Sequence, residues 1–314
     1  MRDLAKFVNK FFPFLVPLAL LVGMFLGDWI ILEHSWGSIA FAGVTFMGGM
    51  KMDFNSFSRT ITNPKPMLLS LSILRFLIPL WAVVVSLVLF PNDAYTRTGL
   101  LLFSVLPVGV NSVLWTMMAK GSVPLSLTVV LIDTFFAPFV LPFSILFLTG
   151  TQIDLDTVGM MISLLLMIVI PTFTGMIVNQ ASKGTLTKKW DRKMGVISKA
   201  LIIFLMLVNG TNVREHLPAI DLRLLMIIGT MIFLSLSGYL LSWFLANVLK
   251  LSINDLKATV FLGGIRNINV GILIALGYFP VAVSIPIVSG VLFQQMVCAF
   301  FANKLLKHFG DTEA

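Results

Sequence analysis

The sequence has little of what catalysis and metal binding require. Among its 314 residues it has one cysteine, Cys298, and three histidines, His34, His216 and His308. A single cysteine forms neither an intramolecular disulfide nor a thiolate metal site, so Cys298 is expected to be a packing residue. The histidines are too far apart in sequence for metal-ligand spacing, and no clustered nucleophile and base supports a membrane-embedded enzyme. No cofactor is therefore indicated.

Charge is also scarce, at 11% of the residues, whereas 58% are hydrophobic. A soluble domain of this length does not need so much apolar surface. Apolar runs of about 17–25 residues, the length that crosses a bilayer as a helix, recur along the whole chain. The sequence therefore predicts an all-α integral membrane protein with ten transmembrane helices, near residues 11–27, 36–50, 67–90, 98–119, 122–149, 157–179, 196–211, 221–248, 256–277 and 280–303.

The net charge of +8 has a pattern along the chain. With ten spans both termini lie on one side, and the termini and loops of that side hold 17 of the 22 Lys and Arg residues, with Lys257 counted in a loop. The opposite loops hold only Arg97, Arg214 and Arg223. Because positive residues concentrate in cytoplasmic loops, this distribution predicts a multi-pass protein of the plasma (inner) membrane with both termini cytoplasmic. Topology thus explains the basic charge, and no nucleic-acid partner is expected.

Two short polar stretches interrupt the apolar pattern, at Pro107–Ser112 and at Gly263–Gly271. Gly109 and Gly264 are 155 residues apart, about half the chain. Broken hydrophobic segments at matching positions of two halves point to the midplane site of a secondary transporter. Five spans per half, an odd number, would make the halves two inverted five-helix repeats. The candidate substrate-binding residues are Asn111, Ser112, Arg266, Asn267 and Asn269.

Three charged residues lie well inside the predicted spans: Arg75, Asp133 and Arg266. Each costs about 2.5–3.5 kcal/mol at a helix centre, so each is expected to face the protein interior and to be paired. Asp133 could neutralise an arginine as a buried counter-ion, or carry a proton. An arginine could instead grip an anionic substrate with its planar fork. Ser126 and Thr128 are possible polar lining of the core, although their hydroxyls could bond back to their own helix.

The polar stretches resemble the two marks of the bile acid:sodium symporter superfamily. Pro107–Val113 is similar to the family's Pro-Gly-Gly-Thr-Ala-Ser-Asn-like stretch, and Leu262–Asn269 to its Glu-Val-Gly-Met-Gln-Asn-Ser-Gly-like stretch. Gly48–Phe54 looks like the family's Gly-Met-x-Leu-x-x-x-Asp-Phe region. The resemblance implies a panel domain, about 11–50 and 157–211, and a core domain, about 67–149 and 221–303. It also implies that the broken helices 4 and 9 cross at the centre of the core.

The chain departs from the family at the sodium ligands. Five of them are replaced, by Arg75, Val113, Val130, Leu262 and Arg266. Only Ser112 and Ser126 match, and guanidinium groups would repel a nearby Na⁺ by about 4 kcal/mol at 4 Å and an effective dielectric of 20. We hypothesise that Arg75 and Arg266 stand where sodium would bind and supply its charge permanently. Asp133 would balance part of that charge.

These residues favour a secondary transporter of a small organic anion, working by alternating access through uniport, exchange or proton symport. An alternative is sodium-coupled symport of a bile-acid-like or other organic anion on the same fold. A non-transporting membrane sensor is a further alternative, which flux in proteoliposomes would exclude. The expected partners are the organic anion and the lipid bilayer, and the sequence leaves the oligomeric state open.

Overall fold

The structure is a computed structural model that describes residues 2–27, 29, 30, 32–52, 64–149, 156–214 and 221–310. His216 and the Asp53–Phe54 end of the third family motif lie outside the described residues. Within them the chain is helical, without a β-strand. The helices are α1 Arg2–Leu26, α2 His34–Gly49, α3 Pro64–Leu89, α4 Ala94–Val105, α5 Asn111–Met118, α6 Val123–Thr149, α7 Thr157–Ala181, α8 Thr185–Val213, α9 Leu222–Val248, α10 Ile253–Gly264, α11 Ile268–Tyr278 and α12 Ser284–Gly310.

Membrane-spanning character is clear from the helices themselves. In the described part of the chain six helices are long and apolar enough to cross a bilayer, in α3, α6, α7, α8, α9 and α12. They make the protein an all-α, multi-pass membrane protein, as predicted. The count of ten spans and the inverted repeat stay predictions. Two helices begin earlier than predicted, α1 at Arg2 and α8 at Thr185, because hydropathy marks only the apolar part of a helix that continues beyond it.

Two of the long helices widen into a π-helical turn before a proline. In α3 the turn is Ile73–Leu77 and the proline is Pro79, and in α7 it is Leu165–Val169, before Ile170-Pro171. A proline clashes with the carbonyl four residues earlier, and a π turn relieves the clash by moving that carbonyl aside. In α7 the carbonyl that is set free, that of Met167, accepts a hydrogen bond from the Thr45 hydroxyl at 2.8 Å.

One compact unit contains α1, α2, α7, α8 and residues 272–284. Its helices pack through glycine. A Cβ atom added to Gly23 of α1 would lie 2.3 Å from the carbonyl oxygen of Leu207, and one added to Gly210 of α8 would lie 2.3 Å from that of Leu20. Small residues let helix backbones approach this closely, which is how membrane helices gain contact without a hydrophobic driving force.

The second compact unit contains α3–α6, α9, α10, residues 268–271 and 285–310. Its described interior includes an aromatic cluster around Tyr239 of α9. The ring of Tyr239 stacks on Phe301 with centroids 4.4 Å apart and meets Phe261 edge-on at 6.3 Å. Its hydroxyl lies 2.9 Å from the sulfur of Cys298, which is buried here, as a packing residue would be. A Cβ atom on Gly264 would lie 2.3 Å from the Tyr239 ring, so the cluster bears directly on the end of α10.

Candidate functional site

The two interruptions of the helical pattern meet inside the second unit. Helix stops between α4 and α5 and between α10 and α11, and the two gaps pair as an isolated antiparallel bridge. The Gly109 amide donates to the Ile265 carbonyl at 3.3 Å, and the Asn267 amide donates to the Pro107 carbonyl at 2.8 Å. Backbone groups that leave a helix in a membrane must find protein partners, and here each gap supplies partners to the other.

An ion pair fixes the first gap. The Asp133 carboxylate of α6 accepts from the Val108 amide at 2.7 Å and from Nε of Arg75 at 2.7 Å. A second Arg75 nitrogen lies 2.6 Å from the same carboxylate. The remaining end of the guanidinium donates to the carbonyl of Val105, the last residue of α4, at 2.9 Å. Arg75 therefore places a cation at the negative end of a half-helix, where carbonyl oxygens lack helical partners.

The second gap carries a cation of a different kind. Arg266 is only 2% exposed, and its amide donates to the side-chain oxygen of Gln294 at 3.3 Å. Its two terminal guanidinium nitrogens are buried and have no hydrogen-bond partner among the residues that the structure describes. Arg75 is thus paired within the protein, as predicted. The hydrogen-bonded pairing predicted for Arg266 is not found for its terminal nitrogens in the described residues, so Arg266 keeps two free donors.

Three other predicted residues lie in or near the gaps. Asn111 is exposed at the start of α5, and Asn269 is half-buried near the start of α11. The side-chain oxygen of Asn267 accepts from the Val270 amide at 3.5 Å, a long bond that supports the first turn of α11. The structure therefore brings Asn267 into the paired gaps, whereas it leaves the side chain of Asn111 facing outward.

The predicted hydroxyl residues are buried. The oxygen of Ser112 has no hydrogen-bond partner within the described ranges of the chain. Ser126 donates to the hydroxyl of Thr116 on α5 at 2.9 Å, so the back-bond to its own helix that we considered for Ser126 is wrong. Thr128 is buried in the same helix. In the described part of the chain, no three His, Cys, Asp or Glu side chains group as metal ligands would.

Sequence reasoning missed two residues. Lys257 was placed in a loop, but it lies in α10 and is only 2% exposed. The signal was present, since Ser252 accepts from the Asp255 amide as an N-cap. A serine followed three residues later by an acidic residue marks a helix start. Gln294 was also overlooked, although a Gln-Gln pair inside an apolar run is unusual enough to deserve a functional hypothesis.

These features define a class of protein. Apolar spanning helices enclose two helix gaps that pair with each other around buried charge, which is the arrangement of a secondary membrane transporter. The sequence profile of the Sodium Bile acid symporter family matches residues 39–218, and the chain belongs to that family. The resemblance expected from the motifs is therefore confirmed.

Relatives match over most of the chain. An uncharacterized protein of Bacillus subtilis, YbaS, is 34% identical over 93% of this chain and 96% of its own length. The uncharacterized sodium-dependent transporter YocS of the same bacterium is 23% identical over 91% of this chain and 87% of its own. A probable chloroplastic sodium/metabolite cotransporter of rice, BASS1, is 24% identical over 85% of this chain and 65% of its own.

Proposed function

We propose that the protein carries a small organic anion across the plasma membrane by alternating access, without the sodium sites that are usual in its family. The single observation that carries this proposal is the buried Arg266 guanidinium, with two terminal nitrogens that have no partner in the described residues. A buried cation without a partner is costly. A carboxylate or sulfonate that arrived there would remove the cost and could bind to both nitrogens at once.

In this proposal the Arg75 guanidinium replaces sodium as the cation that stabilises the broken helix. In transporters with broken helices, coupling ions sit against unwound carbonyls and the C-terminal ends of half-helices. Arg75 donates to the last carbonyl of α4 and to the main-chain oxygen of Asp133 at 3.3 Å, so a covalently attached cation occupies this kind of position. Asp133 then serves as counter-ion to Arg75, and Arg266 remains for the substrate.

The wider architecture of the proposal follows the family. Ten spans would form two inverted five-helix repeats, with a panel of about 11–50 and 157–211 and a core of about 67–149 and 221–303. Both termini would be cytoplasmic. Asn111, Ser112, Asn267 and Asn269 would offer uncharged donors and acceptors to the substrate, and Ser126 and Thr128 would line the polar part of the core.

Sodium coupling is the second candidate. Two relatives carry names that include sodium, and the buried Ser112 oxygen has no partner within the described ranges. An oxygen of this kind is a ligand that Na⁺ could use. Ser126 is the one other family ligand that matches, however, and five are replaced, two of them by arginine.

The deciding experiment is thermal unfolding of the purified protein, titrated with NaCl against choline chloride. We expect no shift specific to Na⁺. In sodium-free buffer the choline salts of acetate, succinate, benzoate and taurocholate are then compared, and any stabilising anion is tested for counterflow in proteoliposomes. Arg266→Gln should weaken the binding of that anion about tenfold or more, since a hydrogen bond to a charged group contributes about 1.5–3 kcal/mol.

Arg266→Lys is the matched variant, because it keeps the charge and loses the fork. It should retain part of the anion response. A saturable stabilisation by Na⁺ alone would support the second candidate, and an anion response that is equal in wild type and Arg266→Gln would remove Arg266 from the site.

A further inference from the structure

A groove runs between α3 and α6 outside the paired gaps, and Arg75, which is bonded to the first gap, is among the residues that line it. It consists of two adjoining cavities of about 440 and 200 Å³, which share Leu148. The larger cavity is walled by large apolar side chains, among them Phe76, Leu80, Phe139, Phe143 and Phe147. Phe147 is 84% exposed and Phe143 is 56% exposed, so the wall opens outward from the protein. In a membrane transporter an open apolar wall at this depth contacts hydrocarbon.

The length of the groove matches one leaflet of a bilayer. Along α3 its lining extends from Arg75 to Leu87, which is twelve residues or about 18 Å at the helical rise of 1.5 Å per residue. Half of a hydrocarbon core that is about 30 Å thick is about 15 Å, so the groove spans the apolar part of one leaflet and reaches its polar boundary. One acyl chain of a phospholipid that stands upright in the leaflet would therefore fit along it.

The smaller cavity forms the polar end of the groove. Here α3 ends at Leu89, α4 begins at Ala94 and α6 ends at Thr149, so three helix termini mark this level as a boundary of the membrane. Arg97, in the first turn of α4, lines the cavity and is half-buried. A phosphate-bearing headgroup belongs at this depth.

Arg97 is available to an anion because its guanidinium has no hydrogen bond or ion pair in the part of the chain that the structure describes. The nearby hydroxyls are already used, since Ser86 donates to the Val83 carbonyl and Thr98 to the Ala94 carbonyl. At the other end of the groove Arg75 is held by Asp133. The polar end is therefore the place where a guanidinium can still bind phosphate oxygens.

We propose that this groove is a binding site for one anionic phospholipid, with its headgroup phosphate on Arg97 and an acyl chain along the wall of phenylalanines. The proposal does not depend on the transported substrate. Electrostatics gives the site its preference for anionic headgroups, and the apolar wall gives it affinity for any lipid.

Native mass spectrometry of the detergent-solubilised full chain tests the site, with dioleoylphosphatidylglycerol against dioleoylphosphatidylcholine. Wild type should bind the anionic lipid about fivefold more tightly, the increment of one basic residue near an anionic headgroup. Arg97→Gln should reduce that ratio to about one. Arg97→Lys should keep it, and Ser144→Trp, which fills the larger cavity, should weaken the binding of both lipids.

Arg223→Gln is the matched control. Arg223 lies at the same end of the helices but is paired with Asp93 at 2.6 Å, so its loss should leave the lipid ratio unchanged. Equal binding of the two lipids by wild type would overturn the proposal, as would an unchanged ratio in Arg97→Gln or an equal loss in Arg223→Gln. Displacement of the lipid by millimolar inorganic phosphate would also overturn it, because the site would then recognise phosphate alone.

Discussion

The two helix gaps have similar backbones and different electrostatics. At the first gap a carboxylate, that of Asp133, accepts from the main chain and also holds Arg75. At the second gap a neutral amide, that of Gln294, accepts from the main chain, and Arg266 has no partner for its terminal nitrogens in the described residues. Both gaps are closed by the same bridge, so the backbone does not need the difference. In the function that we propose, one cation stabilises the fold, whereas the other binds the substrate.

Asp133→Asn should have the largest effect on this comparison. The substitution leaves Arg75 buried without a counter-ion and weakens the acceptor for the Val108 amide. Breaking a buried ion pair from one side costs about 3–5 kcal/mol, so the free energy of unfolding should fall by that order. Chemical or thermal unfolding in detergent measures it.

The double variant Arg75→Gln/Asp133→Asn is the control, because it removes both charges of the pair. It should recover a large part of the stability that Asp133→Asn loses. If Asp133→Asn unfolds like wild type, the carboxylate does not support the first gap, and the contrast between the two gaps fails.

Arg266→Gln should act in the opposite direction. Removing a buried charge whose terminal nitrogens have no hydrogen-bond partner in the described residues should raise stability by up to about 2.5 kcal/mol, the lower estimate for an arginine at the centre of a membrane helix. Arg75→Gln, which leaves Asp133 unmatched, should lower it. Unfolding midpoints of the two variants under the same conditions show whether each substitution raises or lowers stability. A similar loss of stability in both variants would mean that Arg266, like Arg75, has a structural partner.

The smallest effects on stability are expected from Asp93 and Asp255, the carboxylates at the starts of the two broken spans. Burial alone raises the pKa of the Asp93 carboxyl, but hydrogen bonds from Thr96 and the charge of Arg223 outweigh burial and lower it. Stability from this carboxylate is then present above the unfolded pKa of about 3.9 and is lost as pH falls through the lower folded value. Because the pair is largely solvated, it contributes about 1 kcal/mol or less.

The measurement for Asp93 is the unfolding midpoint of wild type and Asp93→Asn as the pH falls from 7 to 3. Asparagine keeps the helix cap and removes the charge. The difference in unfolding midpoint between wild type and Asp93→Asn should therefore stay constant above about pH 5 and shrink as the pH falls below about 4. Asp255→Asn at the start of α10, where no arginine pairs with the carboxylate in the described residues, should show a smaller difference at neutral pH. A difference that grows on acidification would contradict the assigned sign.

The sequence predicted the apolar parts of the long helices and the positions of both gaps. Apolar length marks a membrane helix, and Gly109 and Gly264 mark the places where it stops. Pairing between the gaps could not be predicted, because it depends on close approach in space. A Cβ atom on Gly109 would lie 3.2 Å from the carbonyl oxygen of Arg266, a contact that no local pattern encodes.

Charge inside the protein was harder to predict than apolar length. Arg75, Asp133 and Arg266 stood out because their neighbours are apolar, but their neighbours do not reveal which cation the carboxylate contacts. Lys257 was misplaced because it lies close to the polar end of its span, where hydropathy does not separate a loop from a helix. The N-cap at Ser252 indicates that the helix begins before Lys257, and a hydropathy profile does not detect caps.

The π turn at Ile73–Leu77 has a consequence for how this segment can vary among relatives. A π turn adds one residue to a helix, so everything after it is rotated by about 100° relative to a regular helix. Arg75 lies inside the turn. Deleting one residue there would restore a regular helix and turn Arg75 away from Asp133 while leaving the length and hydropathy of the span nearly unchanged. A single codon deletion could therefore alter the electrostatics of the carrier in one evolutionary step, and a sequence alignment would record it only as a one-residue gap.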